Sequence, residues 1–232
     1  MISMAASETS NDQKRRHKKR VISAVIILVA FAFGGVLLVM APRWIGSNFF
    51  FDNGGRYDAS LMSMGVIYQN RSDNYAFNEG YSTSVNCPWN MTHNGIDYFL
   101  KNGSAMIAAA PGKISEISSA DAGATSENRY RIDLWLQFNQ TIKLRYGIEM
   151  WTNISSNRDL QLAIISVKVG DWVAKGQVIG AFLCVKTSGH IHFDTIEKET
   201  RSCPQKYFGA ADLTELMAMI HGFHPTWNLC YA

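Results

Sequence analysis

YRIDLWLQFNQTIKLRYGI occupies residues 130–148 and decides the fold class. Ile132, Leu134, Leu136 and Phe138 alternate with Arg131, Asp133 and Gln137. Successive strand residues point to opposite faces, so this pattern predicts a strand with one buried face. Asn139-Gln140 supplies a turn, and Ile142, Leu144, Tyr146 and Ile148 resume the alternation. The stretch therefore reads as an antiparallel hairpin. Upstream, Met106 to Ala110, Pro111-Gly112 and Lys113 to Ile117 read as strand, turn and strand. Downstream, Thr152 to Leu160 is polar and is expected to be a loop. Leu213, Leu216, Met217 and Ile220 recur at helical spacing, which predicts one helix over about Asp212 to His221, with Asp212 and Glu215 suggesting a capping box. His221 and His224 at its end are expected to serve the helix terminus or packing.

The chain has 232 residues, 47% hydrophobic and 18% charged, which is globular and excludes a mostly disordered chain. Its net charge of +3 is unevenly placed. Lys14, Arg15, Arg16, Lys18, Lys19 and Arg20 give the first 20 residues +4, and the remainder carries −1. Such a body has no charge excess for phosphates, so no nucleic-acid partner is expected.

Val21 to Met40 (VISAVIILVAFAFGGVLLVM) holds no charge and no proline. Twenty helical residues at about 1.5 Å rise cover the roughly 30 Å hydrocarbon core. The stretch exceeds the ~7–15 apolar residues typical of a cleaved signal peptide. No small-x-small cleavage site follows it; Pro42-Arg43-Trp44 does. It is expected to be one transmembrane anchor, with the basic tail cytoplasmic and the rest outside the cell or in a lumen. The expected organisation is a cytoplasmic tail (1–20), an anchor (21–40), a connector with a short strand or two (41–85) and a functional domain (86–232). Five N-x-Ser/Thr sequons, at Asn70, Asn90, Asn102, Asn139 and Asn153, all follow the anchor and suggest glycosylation. Cys87, Cys184, Cys203 and Cys230 are even in number with no CxxC pair, so disulfides are expected rather than a zinc ribbon. Four cysteines permit three pairings. The expected pair is Cys203–Cys230, which flanks the C-terminal helix, leaving Cys87–Cys184.

Chemistry concentrates in His93-Asn-Gly-Ile-Asp97 and His190-Ile-His192-Phe193. On a strand, residues i and i+2 share a face, so both imidazoles of HxH enter one site. His93 and Asp97 add a nitrogen and an oxygen from a turn before a strand. Two histidines and a carboxylate with an open fourth position suit a catalytic Zn²⁺.

HNGID, AAAPGKIS, VKVGDWVAKGQVIG and SGHIHF occur in this order over residues 93–193. This resembles the lysostaphin/LytM-type zinc metallopeptidases, peptidoglycan endopeptidases. The resemblance implies a mainly β barrel-sandwich hybrid, the duplicated hybrid motif, here with a C-terminal helix and an N-terminal transmembrane helix. The 167–180 stretch also resembles the hammerhead turn of biotinyl and lipoyl carriers, but no lysine occupies a carrier-type hairpin tip. By the resemblance, His93, Asp97 and His192 match the metal ligands, and His190 matches the histidine that stabilises the transition state and positions the attacking water. The family's usual Tyr-x-His histidine falls on Ile148, so this element is missing. Glu149 is the candidate replacement, because a carboxylate can accept a proton from the attacking water. Strand parity opposes this, since a regular strand points Glu149 away from Tyr146 and Ile148.

Two functions stay open. One is a membrane-anchored, outward-facing zinc metallopeptidase acting on cell-wall peptide or protein. The other is a catalytically inactive, glycosylated interaction or scaffold protein that keeps the fold, with or without the metal.

Overall fold

The 130–148 hairpin forms the centre of the structure, a computed structural model that describes residues 62–139 and 141–232. The elements are β1 (Asn74–Ala76), β2 (Tyr81–Ser82), β3 (Ile96–Leu100), β4 (Ala105–Ile107), β5 (Gly112–Asp121), β6 (Tyr130–Gln137) and β7 (Ile142–Glu149). They continue as α1 (Ser155–Ala163), β8 (Trp172–Val173), β9 (Val178–Ala181), β10 (His190–Glu197), β11 (Thr200–Arg201), α2 (Ala210–Phe223) and β12 (Cys230–Tyr231). The domain is mainly β with a C-terminal helix. Its principal sheet has the order β1-β3-β10-β7-β6-β5-β8, with β11 paired to β10. Strands β4 and β9 pair separately, and β12 runs parallel to β2.

β6 and β7 pair antiparallel from Arg131↔Glu149 to Gln137↔Lys143. Ile132, Leu134, Leu136, Ile142, Leu144, Tyr146 and Ile148 are all buried, as the alternation predicts. Burying each of these side chains is favourable by about 1.5–3 kcal/mol, which pins the register: a one-residue slip would expose the whole row. Tyr146 supplies a polar tie within this core, its hydroxyl accepting from Ala109 N at 2.7 Å and donating to Ile107 O at 3.2 Å. The run Ala108-Ala109-Ala110 lets that backbone come close. Gly112 must lack a side chain, because a Cβ there would lie 2.5 Å from Leu136 and 2.7 Å from Gln137 O.

Several elements differ from the sequence expectation. Thr152 to Leu160 is not a loop throughout, because α1 begins at Ser155. The helix is held by tertiary bonds rather than by its own pattern. Fully buried Gln161 donates to Ala181 O at 2.9 Å and accepts from Leu183 N at 2.7 Å. The C-terminal helix runs Ala210–Phe223, and its N-cap is Gly209, so there is no capping box. Asp212 pairs with Lys175 at 2.7 Å, and Glu215 pairs with Arg71, interactions between distant segments that compete for both carboxylates. Within the segment read as a connector, Met62, Met64, Ile67, Tyr68 and Phe77 are buried in the core, and β1 pairs with β3.

Cys203 and Cys230 form a disulfide across a separation of 27 residues, bracketing α2. Cys87 and Cys184 do not pair. Each thiol has its own acceptor, Met91 O at 3.2 Å for Cys87 and Lys186 O at 3.1 Å for Cys184. Asn70, Asn90, Asn102 and Asn153 are exposed. Asn139 is buried, and its side-chain oxygen accepts from Thr141 N and Ile142 N, organising the β6–β7 turn. His224 Nε2–H donates to Phe77 O at 2.7 Å, and its ring stacks on Trp227. It serves packing, as expected. The expected anchor at 21–40 and its basic tail lie outside the described residues. Among the described residues, no helix is long and apolar enough to cross a membrane.

Candidate metal centre

β10 lies between β3 and β7, and that adjacency assembles the site. His192 faces Asp97 across β3 and Gly147 across β7. His190, two residues earlier and on the same face, lies opposite Glu149. His93 enters from the segment before β3, bridged to Ser82. Asp97 belongs to β3 itself rather than to the preceding turn.

Three ligand atoms converge. His93 Nε2 is 3.0 Å from His192 Nδ1, His192 Nδ1 is 2.7 Å from Asp97 Oδ1, and His93 Nε2 is 3.3 Å from Asp97 Oδ1. Ligands at about 2.0–2.2 Å from a tetrahedral zinc stand at similar mutual spacings, so this group could hold one metal ion. The outer atoms also fit. His93 Nδ1–H donates to Gly80 O at 2.8 Å, which leaves Nε2 to face the site. His192 Nε2–H donates to Asp194 Oδ1 at 3.0 Å and to Asn94 Oδ1 at 3.1 Å, which leaves Nδ1 for the metal. Such outer partners set the ring orientation and basicity of a ligating histidine. Gly95 makes room, because a Cβ there would lie 2.7 Å from His192 Nε2.

Without metal, the group is a tight charge cluster. Burial opposes charge on His192, but hydrogen bonds to Asp194 and Asp97 outweigh it and raise its pKa to about 9. Burial likewise opposes charge on His93, yet Asp97 and the Gly80 carbonyl raise its pKa. Burial would lift the Asp97 pKa, but His192, His93 and His190 hold it well below the usual carboxylate range. Asp194 is fully buried; its burial is overcome by His192, Arg145 and Arg201, which lower its pKa.

His190 stands beside this group. Its Nδ1–H donates to Ser188 O at 2.9 Å, and its Nε2 lies 3.6 Å from Asp97 Oδ2 and 3.8 Å from Glu149 Oε2. Glu149 also accepts from Asn128 Nδ2. The parity expectation holds, since Glu149 points away from Tyr146 and Ile148, but the site is on Glu149's own face. β7 pairs regularly through Glu149, and Tyr146 and Ile148 face the core, so the site lies on the face Glu149 shares with His190.

Glu79, Asn94, Asn128 and Asp194 escaped the sequence reading. Asp194 was within reach, being two residues past His192 on one strand face. Glu79 had no local signal. Its half-buried carboxyl rests against Asp97, and burial together with that neighbouring carboxylate raises its pKa to about 7.

A mainly β domain with a converging His/Asp/His group defines a metallopeptidase-like class. The profile of Peptidase family M23 matches residues 91–204, and the chain carries a domain of that lysostaphin/LytM-type family. No curated protein matched the chain. Among solved structures, a zinc-containing peptidase from Vibrio cholerae is 19% identical at a TM-score of 0.43, covering 66% of this chain and 44% of that one. Lysostaphin from Staphylococcus simulans is 22% identical at 0.40, covering 66% and 55%. The lysostaphin catalytic domain is 26% identical at 0.35, covering 56% and 89%. The chain spans about half the length of the first two.

Proposed function

We propose that this protein is a zinc metallopeptidase that hydrolyses peptide bonds in cell-wall peptide or protein, held at a membrane by residues 21–40 with its domain facing outward. One observation carries the reading: three ligand atoms converge within 3.3 Å while His190 and Glu149 stand beside them. His93, Asp97 and His192 would hold the metal. When bound, zinc supplies Lewis acidity toward a peptide carbonyl and toward water. The chain supplies the rest. Glu149 Oε2 accepts a proton from the attacking water. His190 Nε2, oriented by the Ser188 carbonyl, donates toward the oxygen that gains charge in the transition state.

The scaffold reading keeps one observation in its favour. Ile148, at the position of the family's usual histidine, is fully buried in the core. The two readings are separated by measuring bound zinc in the purified full chain and its turnover of glycine-rich and muropeptide substrates. Full zinc occupancy without turnover selects the scaffold. Topology has its own test: protease added to intact cells should remove the domain and spare the 1–20 tail, and a protected C-terminus would refute the orientation. Glycan attachment is proposed at the exposed sequons Asn70, Asn90, Asn102 and Asn153; Asn139 is the poorest candidate, being buried.

A further inference from the structure

A cavity of about 460 Å³ opens where the end of β5, the following loop and the start of β6 meet. Asp121, Ser126, Asn128, Arg129 and Arg131 line it. Two of these residues join it to the proposed catalytic carboxylate. Arg131 is the cross-strand neighbour of Glu149 in the β6–β7 register, and Asn128 Nδ2 donates to Glu149 Oε2 at 2.5 Å. The cavity is therefore adjacent to the place where a scissile bond would sit, and its volume falls within the roughly 300–1,000 Å³ of small-ligand pockets, ample for a side chain or chain end.

Its lining offers two guanidinium groups, each paired with a carboxylate. Arg131 uses Nε and Nη2 on Asp133, at 3.1 and 3.2 Å. Arg129 uses Nε and Nη2 on Asp121, both at 2.9 Å. Neither Nη1 group has a hydrogen-bond partner among the described residues. A guanidinium has five N–H donors, so each arginine keeps donors for a ligand while its partner carboxylate fixes its plane. Each cation thus has one carboxylate partner, Asp121 for Arg129 and Asp133 for Arg131, and what the lining offers a ligand is the arginines' remaining N–H donors. Asn128 Oδ1 is buried without a partner, an acceptor for a peptide N–H.

We propose that this cavity is a substrate subsite for a carboxylate flanking the scissile peptide bond, with Arg131 and Arg129 as its anchors. The inference rests on the peptidase reading and deepens it by naming the substrate class, a peptide with an acidic side chain or a free C-terminus beside the cleaved bond. Charge-assisted pairing of this kind is worth on the order of tenfold in affinity or more.

Three probes test it on the zinc-loaded full chain by calorimetric titration, with turnover read separately. The first is acetyl-Gly-Gly-Glu-Gly-amide. The second is acetyl-Gly-Gly-Gln-Gly-amide. The third is acetyl-Gly-Gly-Gln-Gly with a free C-terminus. At least one anionic probe should bind about tenfold tighter than the neutral one, and which of the two does so identifies the carboxylate. Arg131→Gln should reduce that preference to within about twofold, and Arg129→Gln, at a more peripheral site, should reduce it partly even where Arg131→Gln fails to fold. Equal binding of all three probes overturns the subsite. Turnover without acid preference sinks the subsite alone, and acid preference without turnover sinks the peptidase reading and leaves the cavity as a carboxylate-binding site with no scissile bond beside it.

Discussion

At the scale of single residues, the site divides into groups that hold a metal and groups that act beside it, and substitution separates them. His192→Ala should abolish zinc binding, because Nδ1 sits within 3.0 Å of both other ligand atoms. His190→Ala should retain zinc and lose hydrolysis, since Nε2 faces Asp97 only at 3.6 Å. Metal analysis of the two variants, paired with a peptide assay, checks both; full zinc in His192→Ala would mean the site is misplaced. Glu149→Gln should likewise keep zinc and lose turnover, as an amide accepts no proton. Asp194→Asn tests the outer partner of His192. Weakening a carboxylate–histidine–metal chain typically costs about 10–100-fold in affinity, and competition with a chelator reads that loss. These first residues were legible because an HxH pair on a strand must share a face. Glu149 was harder to read: its placement depended on which face of β7 looks inward. That follows from Tyr146 bonding to Ala109 and Ile107, a contact between distant segments.

At the scale of elements, what periodicity could show is separable from what tertiary contact decides. The β6–β7 hairpin and the last helix carry their own patterns, and both form. α1 has no comparable signal. Its one buried side chain is the amide of Gln161, which closes two backbone bonds. Gln161→Ala should therefore destabilise the domain by about 1–3 kcal/mol, since it leaves the part-buried Ala181 carbonyl and Leu183 N–H without their partner. A denaturant midpoint that does not move would show that α1 is held by something else. The disulfide was legible from position, because Cys203 and Cys230 flank α2. Paired replacement by alanine should cost about 2–4 kcal/mol by freeing a 27-residue loop. The expected Cys87–Cys184 bond had no such geometric argument, only the remainder of an even count, and it does not form.

At the scale of the whole molecule, the metal group joins β3, β10 and the segment before β3, so its protonation couples to folding. His192 has a pKa of about 9 in the metal-free fold, against roughly 6.5 for an unperturbed imidazole. A raised folded pKa means that the folded state binds the proton more tightly. The resulting stabilisation is fully present below about pH 6.5 and is lost as pH rises through 9. Zinc requires the same Nδ1 free of its proton, so binding releases that proton. Zinc affinity should then rise about tenfold per pH unit between roughly pH 7 and 8.5. The two thermal profiles must diverge. With a chelator, the unfolding temperature falls from pH 6.5 to 9. At a fixed excess of zinc, the gain over the chelated protein widens across the same interval, because stabilisation grows with the logarithm of affinity. Melting curves at four or five pH values, with and without zinc, decide the matter. A zinc-dependent gain that stays flat with pH would show that no proton leaves on binding, and that His192 does not meet the metal through Nδ1.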